Sequence, residues 1–484
     1  MESEKSHPPR TRSVFRNISP LDHRYYLANE ETFEALSDYL SEEAAVRYLI
    51  RVEAALLKAH LSRPGAEGAE YLKDIDTLEE RVSPDEVYRE EEKTRHNIRA
   101  LVNVIKRKVP PAVRSLVHAG ATSADILDTA QSMRVRDAVR AVALPELRRL
   151  LELLIDFTLQ EAETLQVGRT HGQHAVPITV GFWSAEYVAR LGKSYREIMR
   201  LAGDLRGKLS GAVGAYNALT LIVPDPQDFE ERFLAHLGLA PSEYSHQLVE
   251  PEYLLRLLLE MNTAFGIVAN LADDLRSLQR SEIGEIREFF GEDQVGSSTM
   301  PQKRNPWNSE HVKSLWKAFC PRAMSFYMDQ ISEHQRDLTN SASSRFTAEY
   351  IAGFTAAVRR MAQVVESLRV DGAMLEKNLG AAGDMALAEA AYILLAESGD
   401  PEAHEKIRRL TLACEKSGGS LREEMEKNPP IREGVAKSLA RSLGITPEEF
   451  FSHPGMYRGQ AAEKARALAE KYRGMLKETQ ETTI

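Results

Sequence analysis

Cysteine is almost missing from this chain of 484 residues, which carries only Cys320 and Cys414. Neither lies in a Cys-x-x-Cys or Cys/His spacing, so a disulfide-stapled scaffold and a zinc module are both excluded, and a reducing cytoplasm fits. Aromatic residues are scarce at 7%, and no alternation of apolar and polar residues marks a framework of strands, which disfavours α/β folds. No uninterrupted apolar run approaches a membrane span, and the polar, proline-containing start of the chain lacks the apolar core of a signal peptide. A basic block is absent too. With 72 acidic against 62 basic residues and a net charge of -10, a nucleic-acid or membrane-surface partner is disfavoured, although a local basic pocket is compatible with that balance.

What is present is helical periodicity. The composition, 43% hydrophobic and 28% charged, is that of a soluble helical protein. Apolar residues recur at three-to-four spacing over 42–61 (Val46, Leu49, Ile50, Leu56, Leu57, Leu61), and similar patterns predict helices over 91–108, 144–165, 184–209 and 307–329. The longest pattern, from Leu254 through Met261, Phe265 and Leu271 to Leu278, corresponds to a rod of about 42 Å at 1.5 Å per residue. Several such rods bury their stripes best against one another, which predicts an all-α fold with a central long-helix bundle. The expected organisation is a disordered tail over 1–13, an N-terminal helical domain over 14–125, the bundle over 126–372 and a C-terminal helical domain over 373–484. Breaks at Gly380, Gly383 and Pro429-Pro430 support the last boundary.

One stretch resists a scaffold reading. Residues 296–310 read Gly-Ser-Ser-Thr-Met-Pro-Gln-Lys-Arg-Asn-Pro-Trp-Asn-Ser-Glu, too polar for a core strand and too interrupted for a helix. This loop carries Lys303 and runs into a helix for which Asn305 suits the cap and Pro306 the first turn, so free backbone N–H groups and positive charge are expected to receive an anion there. Elsewhere two readings stand side by side. The Arg24-Tyr25 turn after Ser19-Pro20 reads as a solvated loop or as a phosphate clasp. His96 reads as a structural histidine. Thr122 and Ser123, after His118, read as helix caps or as carboxylate ligands. The loop over 168–177 places His171 and His174 three apart, without the third ligand a metal site needs, and a histidine flanked by glycine suits acid/base work. The glycine-rich run over 210–217 lacks the Lys-Ser/Thr of a phosphate loop and reads as close helix packing. Arg336, Ser341 and Arg345 offer two guanidinium groups and a hydroxyl to an oxyanion if their segment curls.

Together these segments resemble the fumarase/aspartase superfamily and, within it, the adenylosuccinate lyase family. Residues 296–305 match the superfamily signature Gly-Ser-Ser-x-Met-Pro-x-Lys-x-Asn at every fixed position. The Ser-Pro-Leu-x-x-Arg-Tyr stretch ending at Tyr25, the Gly-Arg-Thr-His-Gly stretch around His171, and Arg336 with Ser341 and Arg345 resemble the branch's own motifs. The resemblance implies a three-part all-α fold whose long helices form a tetrameric core. It implies a β-elimination that releases fumarate from adenylosuccinate, and from the related succinyl-carboxamide ribotide, with neither cofactor nor metal.

By the same resemblance Ser297 is the base, His171 the acid oriented by Glu310, and Lys303 the stabiliser of developing charge, which Asn305 and the loop backbone share. Thr122, Ser123, Thr170 and Gln247 hold the succinyl carboxylates, with Ser298 and Met300 on the same loop. Arg24, Tyr25, Arg336, Ser341 and Arg345 hold the phosphate, while His96 and His118 line the pocket. A homotetramer with shared sites and a cytoplasmic location are implied as well. The chain departs from the family pattern at Asn97, where Asp is usual after the histidine, at Gln335 for Glu, at Thr339-Asn340 for Ser-His, and at Ala342 for Ser. The alternatives are a carboxymuconate cycloisomerase-like enzyme, which needs no phosphate clasp and usually lacks a counterpart of His171, another fumarate-releasing lyase of the same superfamily, and a catalytically silent structural homologue.

Overall fold

Ser41 starts the first long helix: its Oγ accepts the Ala44 N–H at 3.1 Å, and Glu42–Leu61 follows with the expected bounds. Such caps recur, because each helix start leaves N–H groups without an intrahelical acceptor. The structure, a computed structural model, describes residues 12–63, 65, 67–337 and 339–481. The tail expected over 1–13 falls mainly on residues 1–11, outside the described residues.

The fold is all-α. Its long helices are Glu42–Leu61, Ser123–Ala138, which passes through a π-helical turn (Val139–Ala143) into Leu144–Gln160, then Val180–Gly203, Glu252–Leu278, Thr347–Glu366 and Ala461–Glu481. The predicted longest helix is observed with 27 residues. Glu252–Leu278 and Gly372–Glu397 are long and apolar enough by length and composition to cross a membrane. In the first, Leu257, Leu258, Met261, Phe265, Val268 and Leu271 are at most 1% exposed, so packing accounts for its stripe.

The chain divides into two compact units: residues up to 147 with 194–266 and 314–359, and residues 148–193 with 267–313 and 360 onward. In the first unit Val52, Leu56, Leu57, Leu101, Ile105, Ile126, Phe229 and Phe233 form a water-free core, each contributing about 1.5–3 kcal/mol by burial. Phe265 stacks edge-on against Phe354 at 5.6 Å. In the second unit Trp183 Nε1–H and Tyr187 O–H both donate to Asp274, at 2.9 and 2.6 Å. Gly192 is required there, since a Cβ would stand 2.3 Å from the Tyr472 ring. Leu387, Ala391, Leu421, Val435 and Leu439 make the core of its C-terminal helices.

The structure corrects five expectations. The pattern over 91–108 is two helices, Pro84–Thr94 and Asn97–Lys108. They break where Arg95 takes a positive φ and His96 Nδ1 accepts the Arg99 N–H, a polar side chain competing for the backbone. The rod over 307–329 is interrupted ahead of Arg322–Asp329, because Pro321 has no N–H to donate and clashes with the preceding turn. The helix expected to reach 209 ends at Gly203, and Arg206–Gly207 pairs in parallel with Ala240–Pro241. Helix Leu144–Gln160 ends early, and the loop expected over 168–177 is an antiparallel hairpin of Leu165–Thr170 with Gln173–Thr179.

Candidate active site

In the second unit, the hairpin holds His171 at its tip. Thr170 pairs with Gln173, so His171 and Gly172 form a two-residue turn. Both have positive φ, 55° and 74°, as a type I′ turn demands. A histidine in that region is strained, a condition kept where surrounding structure enforces it. Below the turn, Gly168 forms a register shift beside Arg169, and a Cβ there would meet the Val176 carbonyl at 2.6 Å. Thr170 and His171 are exposed.

The signature segment of this unit folds as a tight loop. Ser297 Oγ accepts the N–H groups of Thr299 and Met300 at 3.4 and 3.1 Å. Asn305 Nδ2 donates to the Gly296 carbonyl at 2.9 Å and closes the loop. At Gly296 a Cβ would stand 2.1 Å from the Lys303 carbonyl, so the backbone crossing admits only glycine. Ser297 is half-buried, whereas Ser298, Met300, Lys303 and Glu310 are exposed. The Arg304 guanidinium lies 4.0 Å over the Phe290 ring, and Gln279 Nε2 donates to the Arg304 carbonyl at 3.0 Å.

Here the structure corrects the anion reading. Asn305 does not cap helix Trp307–Phe319. Glu288 does: its carboxylate accepts the N–H groups of Asn308 and Ser309 at 3.3 and 2.8 Å, with their side chains. These N–H groups are therefore not free for a ligand. Positive potential comes from side chains instead. A cavity of about 1000 Å³ beside the loop is lined by Arg276, Arg280, Arg287, Lys303 and Arg304, against the acidic Asp273 and Glu310. Such a surplus of cations suits a multiply charged anion.

The first unit gathers other expected residues around a buried ion pair. Lys208 and Asp125 are both fully buried and bonded to each other. Asp125 also accepts the N–H groups of Thr122, Ser210 and Gly211 at 2.7, 3.2 and 3.3 Å. The glycine-rich run thus wraps a carboxylate of its own chain. At Gly214, with φ of 81°, a Cβ would meet the Ser245 carbonyl at 2.0 Å, and Ser210 and Ser245 hydroxyls bond at 2.7 Å. This fixes the segment carrying Gln247. The Gln247 N–H donates to the Gln335 carbonyl at 3.4 Å, which brings Gln247 beside Arg336. Asp128 accepts the Val249 N–H at 2.9 Å. Loss of solvent pushes its carboxyl up to about 6, against the pull of that bond, Lys208 and Arg336.

His118 has a positive φ of 63° and bonds through Nδ1 to Glu53 at 2.7 Å. His96 stands exposed as the cap of Asn97–Lys108. Arg24 opens the short helix Arg24–Ala28 and is exposed, with Tyr25 half-buried behind it. A second cavity, of about 410 Å³, brings Arg345 to Ser19 and Asp22, the turn leading into Arg24. Arg336 instead donates to the Asp329 carbonyl at 3.2 Å, while Ser341 lies on an exposed turn. His171 makes no hydrogen bond to Glu310 or Ser297 within the chain among the described residues. No group of three or more His, Cys, Asp or Glu among those residues is placed to hold a metal ion.

Residues 23–318 match the family described as lyase, and residues 332–451 the family described as adenylosuccinate lyase C-terminal. The adenylosuccinate lyase of Archaeoglobus fulgidus is 31% identical over 437 residues, covering 90% of this chain and 95% of that protein. The chain belongs to the adenylosuccinate lyase family. The Pyrococcus abyssi adenylosuccinate lyase is 30% identical over 90% of this chain and 94% of its own. A solved 3-carboxy-cis,cis-muconate lactonizing enzyme from Pseudomonas putida superposes with a TM-score of 0.75 at 23% identity, over 91% of this chain and 97% of that one. A fumarate lyase from a Mesorhizobium strain gives 0.76 at 19%, over 91% and 97%. At those identities the two structures share the fold alone.

Four charged residues of this adenylosuccinate lyase family chain escaped the sequence reading: Glu53, Lys208, Glu285 and Glu288. Lys208 and Glu285 are fully buried, yet in sequence each sits among ordinary charged and polar neighbours. The hairpin did leave a signal, because Gly172 follows a short run of strand-forming residues and precedes another.

Proposed function

We propose that this chain cleaves adenylosuccinate to AMP and fumarate by β-elimination, and the succinyl-carboxamide ribotide to its carboxamide ribotide and fumarate. The observation that carries this reading is 31% identity to an adenylosuccinate lyase across 90% of the chain, with the signature loop and His171 intact. Removing a proton beside a carboxylate places a second negative charge on that group, and the C–N bond then breaks as the nitrogen takes a proton. Preorganised cations and N–H donors lower the first barrier, a role for Lys303 and Asn305. Ser297 serves as the base in alkoxide form, for which its two backbone N–H donors are suited, since hydrogen bonds to the charged form favour it. His171 donates the proton to nitrogen and Glu310 orients it.

Thr122, Ser123, Thr170, Gln247, Ser298 and Met300 hold the succinyl part. Arg24, Tyr25, Arg336, Ser341 and Arg345 hold the phosphate, with His96 and His118 lining the pocket. The protein works in the cytoplasm as a homotetramer, and the exposure of Thr170, His171, Lys303 and Glu310 supports a site that different subunits complete. The test is to mix the purified protein with adenylosuccinate and follow the ultraviolet loss that accompanies AMP formation. Absence of turnover at micromolar enzyme overturns the proposal.

A further inference from the structure

Glu53 lies in the middle of helix Glu42–Leu61, among apolar residues, and is fully buried. Its Oε1 bonds to His118 Nδ1 at 2.7 Å, and its Oε2 has no hydrogen-bond partner among the described residues. An isolated carboxylate in that position is expensive, so its retention calls for a cation beside it. The His118 side chain is 21% exposed, and its Nε2 makes no hydrogen bond among the described residues. The left-handed backbone of His118 is a strained state held by its surroundings.

We propose that Glu53 is a positioning residue: it holds His118 as an imidazolium with the Nε2–H turned outward, as a charged donor to an anionic group of the substrate. The inference rests on the reading of His118 as a substrate-contacting residue. Three charged groups from three helices act on His118, namely Glu53, Asp125 and Arg99. Burial pulls the His118 pKa down, but the Glu53 hydrogen bond and charge, with Asp125, outweigh burial and Arg99 and leave it raised. A protonated imidazole bonded through Nδ1–H to a carboxylate has only Nε2–H left to offer, so orientation and charge are set by one contact.

The experiment is histidine C2–H exchange followed by mass spectrometry, on the full-length protein, with Glu53→Gln. The variant keeps the volume and an acceptor while removing the charge. The His118 midpoint in the wild type lies above the ordinary value of about 6.5 and falls by more than about one unit in Glu53→Gln. In parallel, KM for adenylosuccinate rises about tenfold with kcat changed less than about threefold, and the alkaline rise of KM moves to lower pH. A His118 midpoint untouched by the substitution, or an unchanged KM, overturns the proposal. If Glu53→Gln fails to fold, the wild-type midpoint decides: a value at or below about 6.5 sinks the idea and a raised one sustains it. Absence of wild-type turnover would refute the proposed reaction, while the exchange measurement would still decide whether Glu53 charges His118.

Discussion

Arg169 grips Glu285 with two hydrogen bonds, at 2.9 and 2.6 Å, directly below the turn that carries His171. Glu285 is fully buried and also accepts from Gln166 and Asn378, each at 2.8 Å. All the strong acceptor positions of this carboxylate are filled, so the base of the hairpin is anchored to the segment following the longest helix. Removing one partner of such a pair leaves a buried charge without compensation. Arg169→Ala is therefore expected to cost about 3–5 kcal/mol, read as a lower urea midpoint. A change under about 1 kcal/mol would mean that Gln166 and Asn378 suffice.

Ser297→Ala and His171→Ala test the chemical roles. Each is expected to lower kcat by at least about a hundredfold, with the affinity for adenylosuccinate nearly unchanged by calorimetry. Near-wild-type turnover in either variant removes that residue from its assigned role.

The same two variants test whether sites are shared. His171 and Ser297 make no hydrogen bond to each other within one chain, which fits their meeting across subunits. Mixing the inactive variants after mild dissociation is expected to restore a fraction of activity, because some mixed sites then receive both intact residues. No recovery in a sample shown to have exchanged subunits would place both residues in one chain's site.

For the phosphate clasp, Arg24→Ala is expected to raise KM about tenfold and leave kcat close to wild type, since the lost contact lies far from the reacting bond. Arg345, which lines the cavity at the turn before Arg24, is expected to behave alike. An unchanged KM for Arg24→Ala would return that turn to an ordinary solvated loop.

His60 supplies a pH prediction. Its Nε2 bonds to the Ala119 carbonyl at 2.9 Å and its ring packs 4.8 Å from Phe229. Burial depresses its pKa to about 4, against the opposing pull of the Ala119 bond. Between the unfolded value of about 6.5 and that folded value the unfolded chain binds the proton and the native one does not, so stability falls as the pH is lowered through this window. The full effect is at most about 3 kcal/mol. Asp128, with its raised pKa, has the opposite slope over an overlapping range, so the comparison must be between proteins. His60→Gln is expected to flatten the loss of stability from pH 7 to pH 4.5 in urea titrations, and an unchanged slope would refute the assignment.

The sequence by itself determined the helical class, the longest helix and the bounds of Glu42–Leu61, because three-to-four periodicity is a local property of contiguous residues. It also marked Ser297, Lys303 and His171 as the candidates for the chemistry, since their motifs are contiguous strings. Tertiary structure decided what those strings are made into. The hairpin that carries His171 is anchored where Arg169 meets Glu285, and the helix start after Pro306 lost its free N–H groups because Glu288 reached them. Tertiary structure also buried Lys208 against Asp125 and Glu53 beneath His118. A charged residue in sequence looks the same whether water or an opposite charge will surround it. Long-range packing chooses between them, and packing also decided that the positive charge beside the loop comes from arginine and lysine side chains, the helix-start N–H groups being taken by Glu288.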